Sequence, residues 1–253
     1  MLKSFRQGLL DLIFPRICLL CRFHDPLMSP RDAVCPRCLQ SLSRNRPPFC
    51  FRCSRPLESP RRTHCKTCRR HPPVFDEAWT VFLYRDSVRE LIHFFKYHHK
   101  TGLRFLFSRL LSEFLEYYRV SLEGYDAVVA VPLHPSRKRE RGYNQAGLLA
   151  ELVAEHLGLP VLKKELRRVR PTRSQTELSR KERWTNISGA FRIKHSQTFK
   201  SKKVLLVDDL LTTGATASEA AWVLKNAGAQ RVTVLALAVA PGDNKPRTKD
   251  RAT

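Results

Sequence analysis

Chemistry is concentrated in one stretch, Val204-Leu205-Leu206-Val207-Asp208-Asp209-Leu210-Leu211-Thr212-Thr213-Gly214-Ala215-Thr216. Val204 to Val207 predicts a buried strand, two acids follow it, and Leu210 to Gly214 reads as a turn that opens a helix. Such a turn offers backbone N–H groups and three threonine hydroxyls to a phosphate. The helix dipole favours negative charge there, and Gly214 allows close approach. Carboxylates do not bind phosphate. Asp208 and Asp209 therefore point to a ligand with hydroxyls or a bound metal, and a ribose supplies a neighbouring pair of hydroxyls for charge-assisted hydrogen bonds. A sugar phosphate fits both halves. The plainer reading has the acids closing a strand and Thr212-Thr213 serving as an N-cap. Other nucleotide loops are excluded, because no glycine is followed by lysine and no G-x-G occurs.

The second concentration is cysteine. All eight lie between Cys18 and Cys68 as four C-x-x-C pairs, Cys18/Cys21, Cys35/Cys38, Cys50/Cys53 and Cys65/Cys68, separated by 13, 11 and 11 residues. Two C-x-x-C turns fill the four positions of a tetrahedral zinc ion and leave none open, which describes a structural site. The rivals are disulfides, an iron–sulfur cluster and thiol redox chemistry; the last would need one pair beside a thioredoxin-like βαβ pattern, which is absent. Lys3, Arg6 and Asp11 interrupt Phe5, Leu9, Leu12 and Ile13, so the N-terminus predicts a short amphipathic helix and no signal peptide. A cytoplasmic location is expected, where eight cysteines fit a metal framework better than disulfides. Sequential pairing on two zinc ions is expected, with a cross-braced pairing left open.

These residues need elements to position them. Pro15 to Pro73 is rich in Arg, Pro and Cys with little periodicity, as in a module whose core is replaced by metal. A boundary near His71-Pro72-Pro73 gives residues 1–73 as a zinc-ribbon module, 74–241 as a second domain and 242–253 as a disordered tail. Ala78 to Tyr84 predicts a strand, Ser87 to Tyr97 and Leu103 to Tyr118 predict helices, and Tyr125 to Val131 predicts a buried strand. A helix over Tyr143 to Leu157, another over Thr216 to Asn226 and a strand over Arg231 to Val239 complete the alternation. The expected fold class is α/β, a mostly parallel sheet with helices on both faces and its ligand beyond the carboxyl ends of the strands. The longest apolar run, Val232 to Ala240, falls far short of the ~20 residues that span a bilayer.

Formal net charge is +23. Residues 1–75 hold 15 basic and 4 acidic side chains and residues 163–203 hold 14 and 3, a surplus of 11 in each block. Surpluses of that size favour phosphate or nucleic-acid contact over a merely solvated face. Pro132 to Gln145 reads as a loop with four cations, Arg137, Lys138, Arg139 and Arg141, placed to meet a pyrophosphate. Arg167 to Arg183 has no sustained apolar stripe and reads as a mobile, solvated loop.

The stretch around Asp208 and Asp209 closely resembles the phosphoribosyl pyrophosphate motif of type I phosphoribosyltransferases. The resemblance implies that Asp208 and Asp209 hold ribose hydroxyls, that Thr212, Thr213, Gly214, Ala215 and Thr216 hold the 5′-phosphate, and that Mg²⁺ accompanies the pyrophosphate. Arg141-Gly142-Tyr143-Asn144-Gln145, Gln175-x-x-Leu178, Asn186, Gly189-Ala190-Phe191 and the cysteine module together resemble the ComF family of competence-associated proteins. That resemblance covers nearly the whole chain and settles fold better than reaction, because the family's acceptor is poorly defined.

Two functions are compatible with these residues. One is Mg²⁺-dependent transfer of phosphoribose from phosphoribosyl pyrophosphate to an unidentified acceptor, with Arg137, Arg141, Arg180 and Lys181 stabilising the departing charge. The other is single-stranded DNA binding beside the DNA-uptake machinery, with Phe49, Phe51, Trp79, Tyr97 and Trp184 stacking bases among the cations. The histidines His24, His64 and His71, near the cysteines, and His93, His98 and His99 are expected to be bystanders.

Overall fold

A computed structural model describes residues 17–26, 28–29, 32–173 and 179–241. The N-terminal helix, Gln175, Leu178 and the 242–253 tail of the sequence reading lie outside the described residues. Each half of the cysteine module ends in one helical turn, α1 (Pro36–Gln40) and α2 (Lys66–Arg70). Then follow β1 (Glu77–Leu83), α3 (Asp86–Tyr97), α4 (Leu103–Tyr117), β2 (Ala127–Ala130), α5 (Pro135–Arg141) and α6 (Gln145–Leu157). The remainder is β3 (Leu166–Arg168), α7 (Arg180–Ile187), β4 (Phe191–Ile193), β5 (Lys203–Leu211), α8 (Ala215–Asn226) and β6 (Arg231–Val239).

Four parallel strands lie in the order β1-β6-β5-β2. Alternate residues of β5 enter different cores, Leu205 and Val207 with α3, α4 and α6, and Val204 and Leu206 with α8. Strands covered on both faces must be apolar throughout, which explains the unbroken apolar run in β6. At the outer edge of β2, Val128 N–H donates to Pro160 O at 2.9 Å and Leu162 N–H to Val128 O at 2.9 Å.

The cysteine module covers the edge of β1. Asn45 N–H donates to Val81 O at 2.7 Å, Leu83 N–H donates to Ser43 O at 2.8 Å, and Arg44 bridges Phe82 in antiparallel register. An uncovered edge strand is a template for aggregation, so the module closes a liability as well as presenting cations. Asn45, 1% exposed, donates through Nδ2 to Ser54 O at 2.7 Å and Thr80 Oγ1 at 2.9 Å. Asn45→Ala removes these donors and leaves buried acceptors unpaired, so denaturant unfolding should show a loss of about 2–4 kcal/mol.

Four sequence expectations change. The strand over Val204 to Val207 continues through both aspartates to Leu211, because Asp208 and Leu210 keep register with Ala236 and Ala238 of β6. The four-cation loop contains a helix, α5, with Pro135 at its start and Gly142 at φ +78° closing it. The two ends of the supposed loop are regular: β3 pairs with β4, and α7 begins with a capping box between Ser179 and Glu182. Phe49 and Trp79 are not free to stack bases, since their rings meet edge-on at 5.8 Å and Trp79 also packs on Phe114 at 6.4 Å.

Candidate phosphoribosyl-binding site

A cleft of about 950 Å³ opens beyond the carboxyl ends of β2 and β5 and is walled by α3, α5, the start of α6 and residues beside β3. Asp208 and Asp209 line its floor from the carboxyl end of β5, which runs on to Leu211. Asp209, 8% exposed, accepts from Lys96 Nζ of α3 at 2.8 Å. Burial opposes the charge of Lys96, but the Asp209 carboxylate outweighs it and the ammonium is held above its ordinary range. Asp208 has no such ion pair among the described residues, and its Oδ1 accepts from the Asp209 N–H at 2.8 Å. Burial, and next the charge of Asp209, push the Asp208 carboxyl up to about 7.

The turn after β5 divides its work. Thr212 and Thr216 line the cleft, whereas Thr213, Gly214 and Ala215 are not among its described walls. Thr213 Oγ1 accepts from the Ala215 N–H at 3.3 Å, but the N-cap position of α8 is Gly214, so the threonines do not take the capping role of the plainer reading. Gly214 sits at φ +85°, a backbone conformation that costs little only without a Cβ.

Arg137 and Arg141 both line the cleft. Arg137 pairs with Glu140 at 3.0 Å, and Arg141 lies 4.9 Å over the Tyr97 ring while donating to its hydroxyl at 3.2 Å. Arg180 and Lys181 fall in the first turn of α7, and their side chains lie outside the described residues. His93 is on the cleft wall with its ring 4.8 Å from Tyr97.

Sequence reasoning missed Lys96 and Arg168. Arg168 lines the cleft, lies 5.6 Å over Phe191 and donates to Thr172 Oγ1, and burial lowers its pKa below the usual guanidinium range. The buried Nε atoms of Arg141 and Arg168 have no partner among the described residues. An unpaired buried donor costs about 1–3 kcal/mol. The Arg141-to-Gln145 run acts largely through α3: Tyr143 Oη donates to Phe95 O, Gln145 Nε2 donates to Lys96 O at 3.4 Å, and both fix the helix end that carries Lys96. Asn144 Nδ2 donates to Val131 O at 3.0 Å, tying α6 to the end of β2.

The cysteines gather as two clusters, Cys18/Cys21/Cys35/Cys38 and Cys50/Cys53/Cys65/Cys68, with the ligand sulfurs of each within 4.8 Å of one another. Four Zn–S bonds of ~2.3 Å at tetrahedral angles separate the sulfurs by about 3.8 Å. Cys21 and Cys35 Sγ are 3.8 Å apart and Cys53 and Cys65 Sγ 3.7 Å, so both clusters fit the ion in sequential pairing.

Residues 9–69 match the model of the double zinc ribbon domain, and residues 141–252 match that of the phosphoribosyl transferase domain. DNA utilization protein YhgH of Salmonella typhimurium is 32% identical over 228 residues, 89% of this chain and 98% of that protein. Competence protein F of Haemophilus influenzae is 32% identical over 176 residues, 68% of this chain and 76% of that protein. The chain belongs to the ComF family. Competence protein ComFC of Streptococcus pneumoniae is a further relative, 33% identical over 62% of this chain and 66% of its own. This ComF protein joins a double zinc ribbon with structural zinc sites to a type I phosphoribosyltransferase-like fold. No helix among the described residues is long and apolar enough to cross a membrane.

Proposed function

We propose that the cleft binds phosphoribosyl pyrophosphate, and that the protein transfers its phosphoribosyl group to an acceptor. The observation that carries this is a single cleft lined by two carboxylates, of Asp208 and Asp209, and by the guanidinium-bearing residues Arg137, Arg141 and Arg168. Asp208 and Asp209 accept from the ribose hydroxyls, and Thr212 through Thr216 with the start of α8 receive the 5′-phosphate. Arg137, Arg141 and Arg168 meet the pyrophosphate, and Arg180 and Lys181 follow if the first turn of α7 faces it. Asp208 gives a hard oxygen donor suited to a hydrated Mg²⁺, whose chemistry when bound is to neutralise the leaving pyrophosphate.

In the transfer, the bond from C1′ to pyrophosphate oxygen breaks with its electron pair on the oxygen. An acceptor lone pair forms the new bond at C1′, and the acceptor proton passes to solvent. Charge builds on ribose and leaving group together, so fixed carboxylates and guanidinium groups around one cleft serve better than one strong base. Supplying phosphoribosyl pyrophosphate, Mg²⁺ and a panel of nucleobases and single-stranded DNA should release pyrophosphate with at least one acceptor. Binding without release across the panel would leave a ligand-binding protein and remove the transferase.

A second function, single-stranded DNA binding in DNA uptake in the cytoplasm, draws support from the names of the relatives and from aromatics that remain exposed among cations, Phe51 at 54%, Tyr97 at 46% and Trp184 at 38%. With six phosphates of a single strand neutralised, affinity should fall roughly three-hundredfold between about 50 and 200 mM salt. A salt-indifferent affinity in a filter-binding titration would dismiss it.

A further inference from the structure

Arg55 belongs to the zinc ribbon yet reaches the carboxyl end of the sheet. It is 8% exposed, and its guanidinium points three ways. Nη2 donates to the carbonyl of Thr212, in the turn after β5, and Nε donates to Ala240 O, just past β6, at 3.4 Å. Nη1 donates to Cys53 Sγ, a ligand sulfur of the second cluster, at 3.8 Å. The backbone of Arg55 is held by the same cluster, because the N–H of Cys50 donates to Arg55 O at 2.7 Å. We propose that Arg55 is a positioning residue that ties the second zinc site to the phosphate turn, so that loss of zinc from that site loosens the turn and weakens ligand binding.

The chemistry favours coupling over incidental packing. A buried guanidinium must satisfy its donors, and here they are divided between a thiolate position and two carbonyls that no regular element pairs. Zinc keeps Cys53 deprotonated and its loop rigid, which fixes where the guanidinium stands. When the ion leaves, both the N–H···S bond and the Cys50-to-Arg55 turn lose their anchor, and Thr212 O loses its donor. The first cluster provides an internal contrast. Its cysteines pack with the core of α3 and α4, Arg22 beside it lies 5.3 Å over Phe94, and no hydrogen bond among the described residues links it to the turn.

The ligand part of this inference rests on the binding function proposed above, so the test carries a readout that needs no ligand. Amide hydrogen exchange is measured at Ala240, whose N–H donates to Leu211 O at 2.9 Å, and at Ser218, whose N–H donates to Gly214 O at 2.8 Å. Residues of α4 serve as the remote control. Arg55→Lys keeps the charge but cannot span three acceptors, and Cys68→Ser disables the second site while Cys38→Ser disables the first. Arg55→Lys and Cys68→Ser should each speed exchange at the two amides roughly tenfold without matching change in α4, the scale of one lost charge-assisted hydrogen bond. Combining them should add nothing further, and Cys38→Ser should leave both amides near wild type. Unchanged exchange in Arg55→Lys, equal effects of the two cysteine variants, or acceleration spread evenly into α4 would each overturn the coupling. Calorimetry with phosphoribosyl pyrophosphate and Mg²⁺ forms the second arm: Arg55→Lys should bind about tenfold more weakly. Wild-type protein that fails to bind would remove the function proposed above and leave the exchange result to judge the coupling alone.

Discussion

Replacing Asp208 by Asn should abolish most ligand affinity while making the protein more stable above neutral pH. Burial and the neighbouring Asp209 charge raise this carboxyl from 3.8 to about 7, so the folded protein holds a proton that the unfolded chain has released. Stability therefore falls as pH rises between about 4 and 7 and levels off above 7, where the ionised carboxyl is present at full cost. A shift of about three pKa units corresponds to roughly 4 kcal/mol, and partial solvent access reduces the expected gain to about 2–3 kcal/mol at pH 8. Below pH 4 the variant and wild type should converge. Binding runs the other way: the ionised form accepts ribose hydroxyls better, so wild-type affinity should improve about tenfold from pH 6 to pH 8, and the variant should lose that dependence. Urea unfolding and calorimetry across the same pH series check both halves. Asp209→Asn should behave differently. It strands Lys96, whose side chain is 17% exposed, and should cost about 2–4 kcal/mol of stability at pH 7. With both aspartates replaced, affinity should drop by a factor on the order of 100 to 1,000, two charge-assisted hydrogen bonds being lost.

Removing zinc should have the largest structural effect. Structural zinc contributes about 10–16 kcal/mol to small ribbons, far more than the buried Cys18, Cys35, Cys50, Cys53 and Cys68 side chains could supply by packing. Chelation should unfold the module and expose the backbone edge of β1 that Ser43 and Asn45 now cover. Light scattering should then rise with protein concentration as uncovered strands pair. Restored zinc should reverse the loss if added before aggregation. A chelated protein that keeps its far-ultraviolet spectrum and stays monomeric would show that the ribbon is an appendage and no part of the sheet's protection.

The sequence made some of this visible and hid the rest for identifiable reasons. Cysteine pairs announce themselves because ligand geometry fixes their local spacing, and Asp208 to Thr216 is legible because one continuous stretch supplies both halves of the ligand contact. Lys96 was hidden. It follows Phe95 at the edge of the apolar stripe formed by Val88, Leu91, Ile92 and Phe95, where a lysine ordinarily faces water, and its partner lies 113 positions away. Arg55 and Arg168 were hidden in the same way, as single cations within strongly basic blocks. Helix α7 was legible and overlooked: Ser179-Arg180-Lys181-Glu182 is a capping-box pattern inside a segment whose polarity otherwise suggested a loop. Phe49 and Trp79 misled because an aromatic near basic residues reads as a stacking platform until its packing partners, here Phe114 and Tyr118, are known.

The most direct measurement is a crystal structure of the protein grown or soaked with phosphoribosyl pyrophosphate and Mg²⁺. The ribose hydroxyls should lie within hydrogen-bond distance of Asp208 and Asp209, with the 5′-phosphate against Thr212 through Thr216 and the pyrophosphate toward Arg137, Arg141 and Arg168. A ligand seated elsewhere, or an intact Lys96–Asp209 pair with no sugar on the cleft floor, would contradict that placement.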